Sequence, residues 1–195
     1  MTDGRMRELA IIAKQVRACH RCPGLNVPGV TQAAPGYGDP QAPVFIIGQS
    51  LCYQCMETQI PFTGGSGFLL DKAFQLAGVQ KKQIFITNVI HCHPPSNRPS
   101  QLSEIGNCSE YLLRELEIVQ PRLVISLGKD AKEWLCRWKP SPLSLWNAEL
   151  PVVPTDQPTF LLVPHPAYIM RQMHEQKQNL YIQHLANAIK WAFKF

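Results

Sequence analysis

Apolar residues fall along this chain in two alternating rhythms. Val44–Ile47, Ile84–Ile90, Leu123–Leu127 and Phe160–Val163 are short, mostly apolar runs that read as buried strands. Between them the period becomes that of a helix. Met6, Leu9, Ile12, Ala13 and Val16 predict a helix over Arg5–Ala18, and Phe68, Leu69, Leu70, Ala73, Phe74 and Leu76 predict one over Gly67–Ala77. A long helix starts at Ser103, carries Ile105, Tyr111, Leu112, Leu116 and Val119, and stops before Pro121. Helices over Asp130–Trp138 and Gln178–Phe193 complete the pattern. Cys19–Pro43, His91–Pro99 and Pro140–Pro158 read as irregular. Such alternation predicts an α/β fold, a three-layer α/β/α sandwich around a central four-stranded parallel sheet. Its chemistry should sit just past the strand ends, around Gln49, Asn88, Gly128 and His165. No repeat, low-complexity tract or linker divides residues 1–195, so a single domain is expected.

Composition adds limits. A chain of 195 residues, 45% hydrophobic, can bury a proper core, which argues against disorder. No run is long enough to span a membrane, and Met1–Arg17 has no signal-peptide pattern, so a cytoplasmic protein is expected. The net charge of +5 permits a nucleic-acid partner without requiring one. Seven cysteines in a reducing compartment point to metal, redox or catalytic use rather than to disulfides.

Those cysteines are the strongest chemical signal. Cys19 and Cys22 form one C-x2-C pair and Cys52 and Cys55 a second; Cys92, Cys108 and Cys136 stand singly. The two pairs together would make a zinc site of four thiolates, though the gap between them is longer than in a zinc ribbon. Cys19, Cys22, Cys92 and Cys108 would instead suit a [4Fe–4S] cluster, which separated loops can hold. A redox role for Cys52 and Cys55 is a third option. Spacing alone leaves all three open.

Longer motifs narrow the choice. "PFTGGSGFLLDKAFQLAGV" at 61–79, "IFITNVIHCHPPSNRPS" at 84–100, "EIGNCSEYLLRELEIVQPRLVISLG" at 104–128 and "VPHPAY" at 163–168 occur in one order behind an N-terminal C-x2-C. In that order and spacing they resemble the uracil-DNA glycosylase superfamily, most of all its iron–sulfur group, family four. The resemblance implies a glycosylase fold, DNA with an altered base as partner, in duplex or single strand, and a monomer. It implies that Cys19, Cys22, Cys92 and Cys108 hold the cluster. Phe62 matches the aromatic on which the extruded base stacks, with Gly48 beside it, and Asn88 the carboxamide that reads the base edge. His165 matches the histidine near the leaving base's O2, where a donor stabilises developing charge. Less specifically, Arg98 in the Pro-rich loop and Tyr168, Met170 and Arg171 after His165 are candidate DNA contacts. Lys81, Lys82, Lys129, Lys132 and Arg137 read as a solvated basic face.

One stretch departs from the family. Where family four has G-E-A-P-G-x-x-E-D, this chain has "GQSLCYQCM" at 48–56. Gln49 can orient a water but cannot deprotonate one. With Ser50 it would serve a reaction that relies on dissociation to an oxocarbenium-like sugar. Alternatively Glu57 swings in as the acid, or the altered pocket takes another base: hypoxanthine, mismatched thymine, an oxidised pyrimidine, or a phage-type modified cytosine as an antiviral target. A catalytically silent DNA binder and a redox protein using Cys52 and Cys55 are the readings from other classes.

Overall fold

The structure is a computed structural model describing residues 2–137, 142–153 and 155–195. Its helices are α1 (Thr2–Arg17), α2 (Tyr53–Thr58), α3 (Gly67–Ala77), α4 (Leu102–Val119), α5 (Lys129–Cys136), α6 (Pro166–Gln172) and α7 (Glu175–Phe193). The strands are β1 (Val44–Gly48), β2 (Phe85–Asn88), β3 (Leu123–Leu127), β4 (Leu143–Ser144) and β5 (Thr159–Val163). The helix predicted over Asp130–Trp138 ends on Trp138, which lies outside the described residues, as does part of Pro140–Pro158.

All strand pairs run parallel, in the order β2-β1-β3-β5-β4. The sheet therefore has five strands among the described residues, not the expected four. The addition is β4, which pairs Leu143 with Leu161 and Ser144 with Leu162. Two residues in a proline-rich stretch carry no period to read.

Every residue of β1, β2 and β3 is buried, the mark of strands covered on both faces. Successive side chains point to opposite faces and so feed two cores. Val44 and Ile46 pack with residues of α3, α6 and α7, whereas Phe45 and Ile47 pack with α1, α4 and α5. The free side of β2 is closed by Tyr37, which exchanges backbone hydrogen bonds with Ile86 at 2.9 and 2.8 Å; a covered edge cannot recruit a foreign strand. α4 starts at a capping box between Gln101 and Glu104 and ends at Gln120, in the left-handed region ahead of Pro121.

From β1 the chain crosses to β2 on one side of the sheet, whereas β3 lies on the other. The strand order thus reverses between β1 and β3, and a crevice opens outside their carboxyl ends, at Gly48 and Gly128.

Candidate active site

At that crevice lies a cleft of about 620 Å³ lined by Gln49, Ser50, Cys52, Tyr53, Phe62, Asn97, His165, Tyr168 and Arg171, among others. Segments that are far apart in sequence meet there: the turn after β1, the loop before α3, the Pro94–Pro99 loop and the start of α6. Asn88 and His165 are not on neighbouring strands, because β1 and β3 lie between β2 and β5. Phe62, on the loop before α3, lies between them, with its ring near Asn88 Oδ1 at Gly48 and 6.0 Å from the His165 ring.

Behind the cleft, Asn88 ends β2 opposite Gly48 at the end of β1. Its side chain is buried, and its Oδ1 has no hydrogen-bond partner among the described residues. A Cβ at Gly48 would collide with Asn88 Oδ1 and come 2.7 Å from the Phe62 ring. Bare backbone at position 48 therefore lets a carboxamide and an aromatic face close over one spot. An orphaned buried acceptor is costly unless a ligand donor meets it. Phe62 itself is 7% exposed and sits in the left-handed region at φ 56°.

His165 caps α6, and its Nδ1 accepts the Ala167 N–H at 3.2 Å. A neutral ring must then carry its proton on Nε2. Its pKa is held below the ordinary histidine value by burial first and by Arg171 second, with Asp130 opposing. The His165 and Phe62 ring centroids are 6.0 Å apart. Gly128 passes beneath the His165 Cβ, and the buried Tyr181 hydroxyl donates to Pro164 O at 3.1 Å, fixing the His-Pro corner.

The turn after β1 is tied to the segment after β2. Gly48 O and Gln49 O accept from Val89 and Ile90, each at 3.0 Å, and Leu51 O accepts a His93 ring hydrogen bond at 2.9 Å. Cys52 and Cys55 are joined in a disulfide across α2. This corrects the expectation of metal, redox or catalytic use rather than disulfides, and falls on the pair named as a redox option: an i, i+3 helical spacing sets their Cα atoms 5.0 Å apart, within disulfide range. It also removes the pair from zinc ligation. Glu57 is exposed, bonded to the Tyr53 hydroxyl, and not among the residues lining the cleft. Glu57, one alternative for the acid, thus lies outside the cleft.

Of the candidate DNA contacts, Tyr168 and Arg171 line the cleft, while Met170 is 39% exposed on α6 outside it. The residues after His165 form helix α6 rather than an open loop. Arg98 does not offer a free cation. Both of its terminal nitrogens bind the buried Glu104 carboxylate, and NH1 also reaches Pro99 O at 3.1 Å. That grip holds Glu104 below the usual carboxylate range, the Arg98 hydrogen bond outweighing burial. Arg98 braces the loop. Asn97 beside it, at φ 53°, enters the cleft instead. Lys81, read as part of a solvated face, is also engaged: its Nζ donates to Phe62 O at 3.0 Å and meets Asp71 at 2.9 Å. Neither partnership leaves a signal in the sequence.

On the α1–α4 face, Cys92 and Cys108 are buried in one apolar cluster, with Cys19 and Cys22 packed against it. Asn26 shapes the first pair's loop, donating to Cys19 O at 2.8 Å and Arg17 O at 3.0 Å while accepting the Ala33 N–H at 2.8 Å. Burial first, and the three other cysteines after it, together push the Cys92 thiol up to about 12. At Cys108 burial is outweighed by His91, which lowers it. His91 is held in turn by Glu115 at 3.3 Å and Thr87 at 3.2 Å. Among the described residues no three His, Cys, Asp or Glu side chains converge on a single metal ion. As thiolates the four would repel one another within one apolar cluster, a set that suits a larger, multi-centred cation better than one ion.

Comparison with known proteins bears on the family and the fold. The family profile described as the uracil DNA glycosylase superfamily matches residues 35–190. A type-4 uracil-DNA glycosylase of Sulfurisphaera tokodaii is 33% identical over 131 residues, covering 67% of this chain and 59% of that protein. One from Thermotoga maritima is 28% identical over 163 residues, covering 79% and 83%. The chain thus spans about three fifths of the length of the Sulfurisphaera relative. The crystal structure of wild-type SMUG2 from Pedobacter heparinus superposes with a TM-score of 0.55 at 13% identity, covering 96% of this chain and 99% of that one, a likeness of fold.

Proposed function

The chain belongs to the uracil-DNA glycosylase superfamily, and from that premise we propose that it is a monofunctional DNA glycosylase. It takes uracil out of the DNA stack, hydrolyses the N-glycosidic bond and leaves an abasic site. The observation that carries this reading is the orphaned Asn88 Oδ1, buried beside Phe62 over Gly48. A carboxamide there accepts from uracil N3–H and donates to O4 while the ring stacks on Phe62. The C1′–N1 bond breaks with its electron pair leaving on the base. His165, neutral with its proton on Nε2, donates to O2 as that charge develops. Water adds to C1′ and gives its proton to solvent, with Gln49 and Ser50 orienting it. Tyr168 and Arg171 hold the strand at the cleft rim.

Cys19, Cys22, Cys92 and Cys108 would hold a [4Fe–4S] cluster. When bound, it would fasten the segments after α1 and β2 to α4 without entering the reaction. The relatives' names favour uracil over hypoxanthine, mismatched thymine or oxidised pyrimidines. None of the relatives above points to a phage-type cytosine or to antiviral defence. No described helix is long and apolar enough to cross a membrane, and the proposal is of a monomer acting on DNA in the cytoplasm.

A strand-nicking panel with single- and double-stranded DNA carrying each of these bases tests the reading. Uracil is expected to be cut first, and Asn88→Ala and His165→Ala to abolish most cutting. Unchanged excision by both variants would sink the assignment. A second reading, a lesion binder that does not cut, is favoured by one observation: no Asp or Glu lines the cleft among the described residues. Tight binding to uracil-containing DNA with no abasic product from protein carrying four irons would establish it.

A further inference from the structure

Phe62 holds a backbone conformation that bulky residues avoid. At φ 56° it is an outlier that persists only where its surroundings impose it. One neighbour crowds its carbonyl and another holds it. Gly67 lies so close that a Cβ there would overlap Phe62 O, and Lys81 Nζ donates to the same oxygen at 3.0 Å. The ammonium is fixed from its other side by Asp71 Oδ1 at 2.9 Å, and the Lys81 side chain is only 20% exposed. Asp71 belongs to α3 and Lys81 to the short helical turn that follows, so both stand on the framework rather than on the cleft loop. The Phe62 ring, at the other end of the residue, touches the bare face of Gly48 and faces His165.

We infer that Lys81, anchored by Asp71, is a positioning residue: it locks Phe62 in the left-handed conformation and so sets the ring as the fixed wall of the base pocket. This rests on the glycosylase reading for its consequence, though not for its geometry. Lysine suits the task because a point-charge donor on a long stem reaches a carbonyl across a gap. A charge-assisted hydrogen bond held against a partly buried carbonyl is strong enough to oppose backbone relaxation. Without it the Phe62 peptide turns to an ordinary conformation and the ring leaves its place between Gly48 and His165.

The test is a double-mutant cycle on uracil-DNA excision with Lys81→Met, Phe62→Ala and the pair, alongside Lys81→Arg and Asp71→Asn. Lys81→Met is expected to lower kcat/KM about tenfold, the loss of one charge-assisted bond, and Asp71→Asn a few-fold. Lys81→Arg should recover most of the activity. In the Phe62→Ala background Lys81→Met should cost almost nothing, because the two act as one unit. An equal loss in both backgrounds would overturn the inference, since Lys81 would then act by another route; so would wild-type kcat/KM in Lys81→Met. If the unsubstituted protein excises no base at all, the function reading fails. The inference then still meets its own check, the crystal structure of Lys81→Met: Phe62 remaining at positive φ would overturn it, and a relaxed Phe62 would support it.

Discussion

Two C-x2-C pairs of identical spacing stand in different surroundings in this molecule. Cys19 and Cys22 pack against the apolar cluster between α1 and α4, where Cys92 and Cys108 also lie. Cys52 and Cys55 lie at the cleft and close on each other across α2. The difference comes from the company each pair keeps. The first pair's loop is held open by Asn26, which takes up the Arg17 and Cys19 carbonyls, and its two thiols stay free of one another beside the other two. The second pair sits on one helical turn, so its nearest thiol is its own partner. Spacing selects a loop length; tertiary neighbours select the chemistry.

The sharpest way to break this comparison is to remove a thiol from the first region. Cys92→Ser or Cys108→Ser is expected to strip the iron and to cost enough stability that the variant unfolds well below the parent temperature, because binding energy held by the folded site is folding energy. Iron content and thermal unfolding measure both. Retention of full iron by both variants would remove these residues from the ligand set.

At the cleft, changes should instead reach rate more than stability. His165→Ala is expected to lower excision by about 10²–10³-fold, the usual cost of one lost donor to a developing anion, with a stability loss limited to the roughly 1 kcal/mol of a lost helix cap. Loss of fold without such a rate effect would place His165 among structural residues.

How much of this was legible in sequence follows from the kind of signal each part leaves. β1, β3, α3 and α4 appear near their predicted bounds, because buried runs and helical stripes write the core directly into the chain. α2 was missed because its cap is the Cys52 sulfur, which accepts the Cys55 N–H at 3.2 Å, rather than a Ser, Thr or Asp. α6 was missed because its cap is an imidazole nitrogen and its first residue is Pro166, a start that also reads as a loop. The cleft residues Gln49, Ser50, Phe62 and His165 were named from motifs, and the fold assembles them. What no pattern holds is which acceptor a charged side chain meets. Arg98 looked free until Glu104 took it, and Lys81 looked solvated until Phe62 O did.

A subtler probe of the cleft uses protons. His165 is held neutral by burial and by Arg171 against Asp130, so its pKa lies below the ordinary value of about 6.5. Excision should therefore stay flat as pH falls to that value and decline only below it, as protonation of Nδ1 ends its acceptance of the Ala167 N–H and frees the ring from its place. The stability linked to this group has the same sign: it is fully present above the unfolded-state pKa and is lost as pH falls through the depressed one. Arg171→Gln should move the break in the rate profile upward and Asp130→Asn downward. A break that stays put in both would mean that another group titrates in the profile.

The smallest effect belongs to the second cysteine pair, and it separates the two regions most cleanly. The disulfide closes so short a loop that the chain-entropy estimate is about 2 kcal/mol at most. Cys52 also caps α2 through its sulfur. Serine is a preferred cap and alanine a poor one, a difference of roughly 1 kcal/mol. Cys52→Ser should therefore lose less stability in urea than Cys52→Ala, and both should keep the full iron of the parent. Because the pair flanks Thr63 O at 3.8 and 3.9 Å, next to Phe62, a modest rise in KM should accompany the loss of the bond. Iron lost from Cys52→Ser would erase the distinction between the pairs, since a thiol that only caps and crosslinks a helix has no reason to govern metal content.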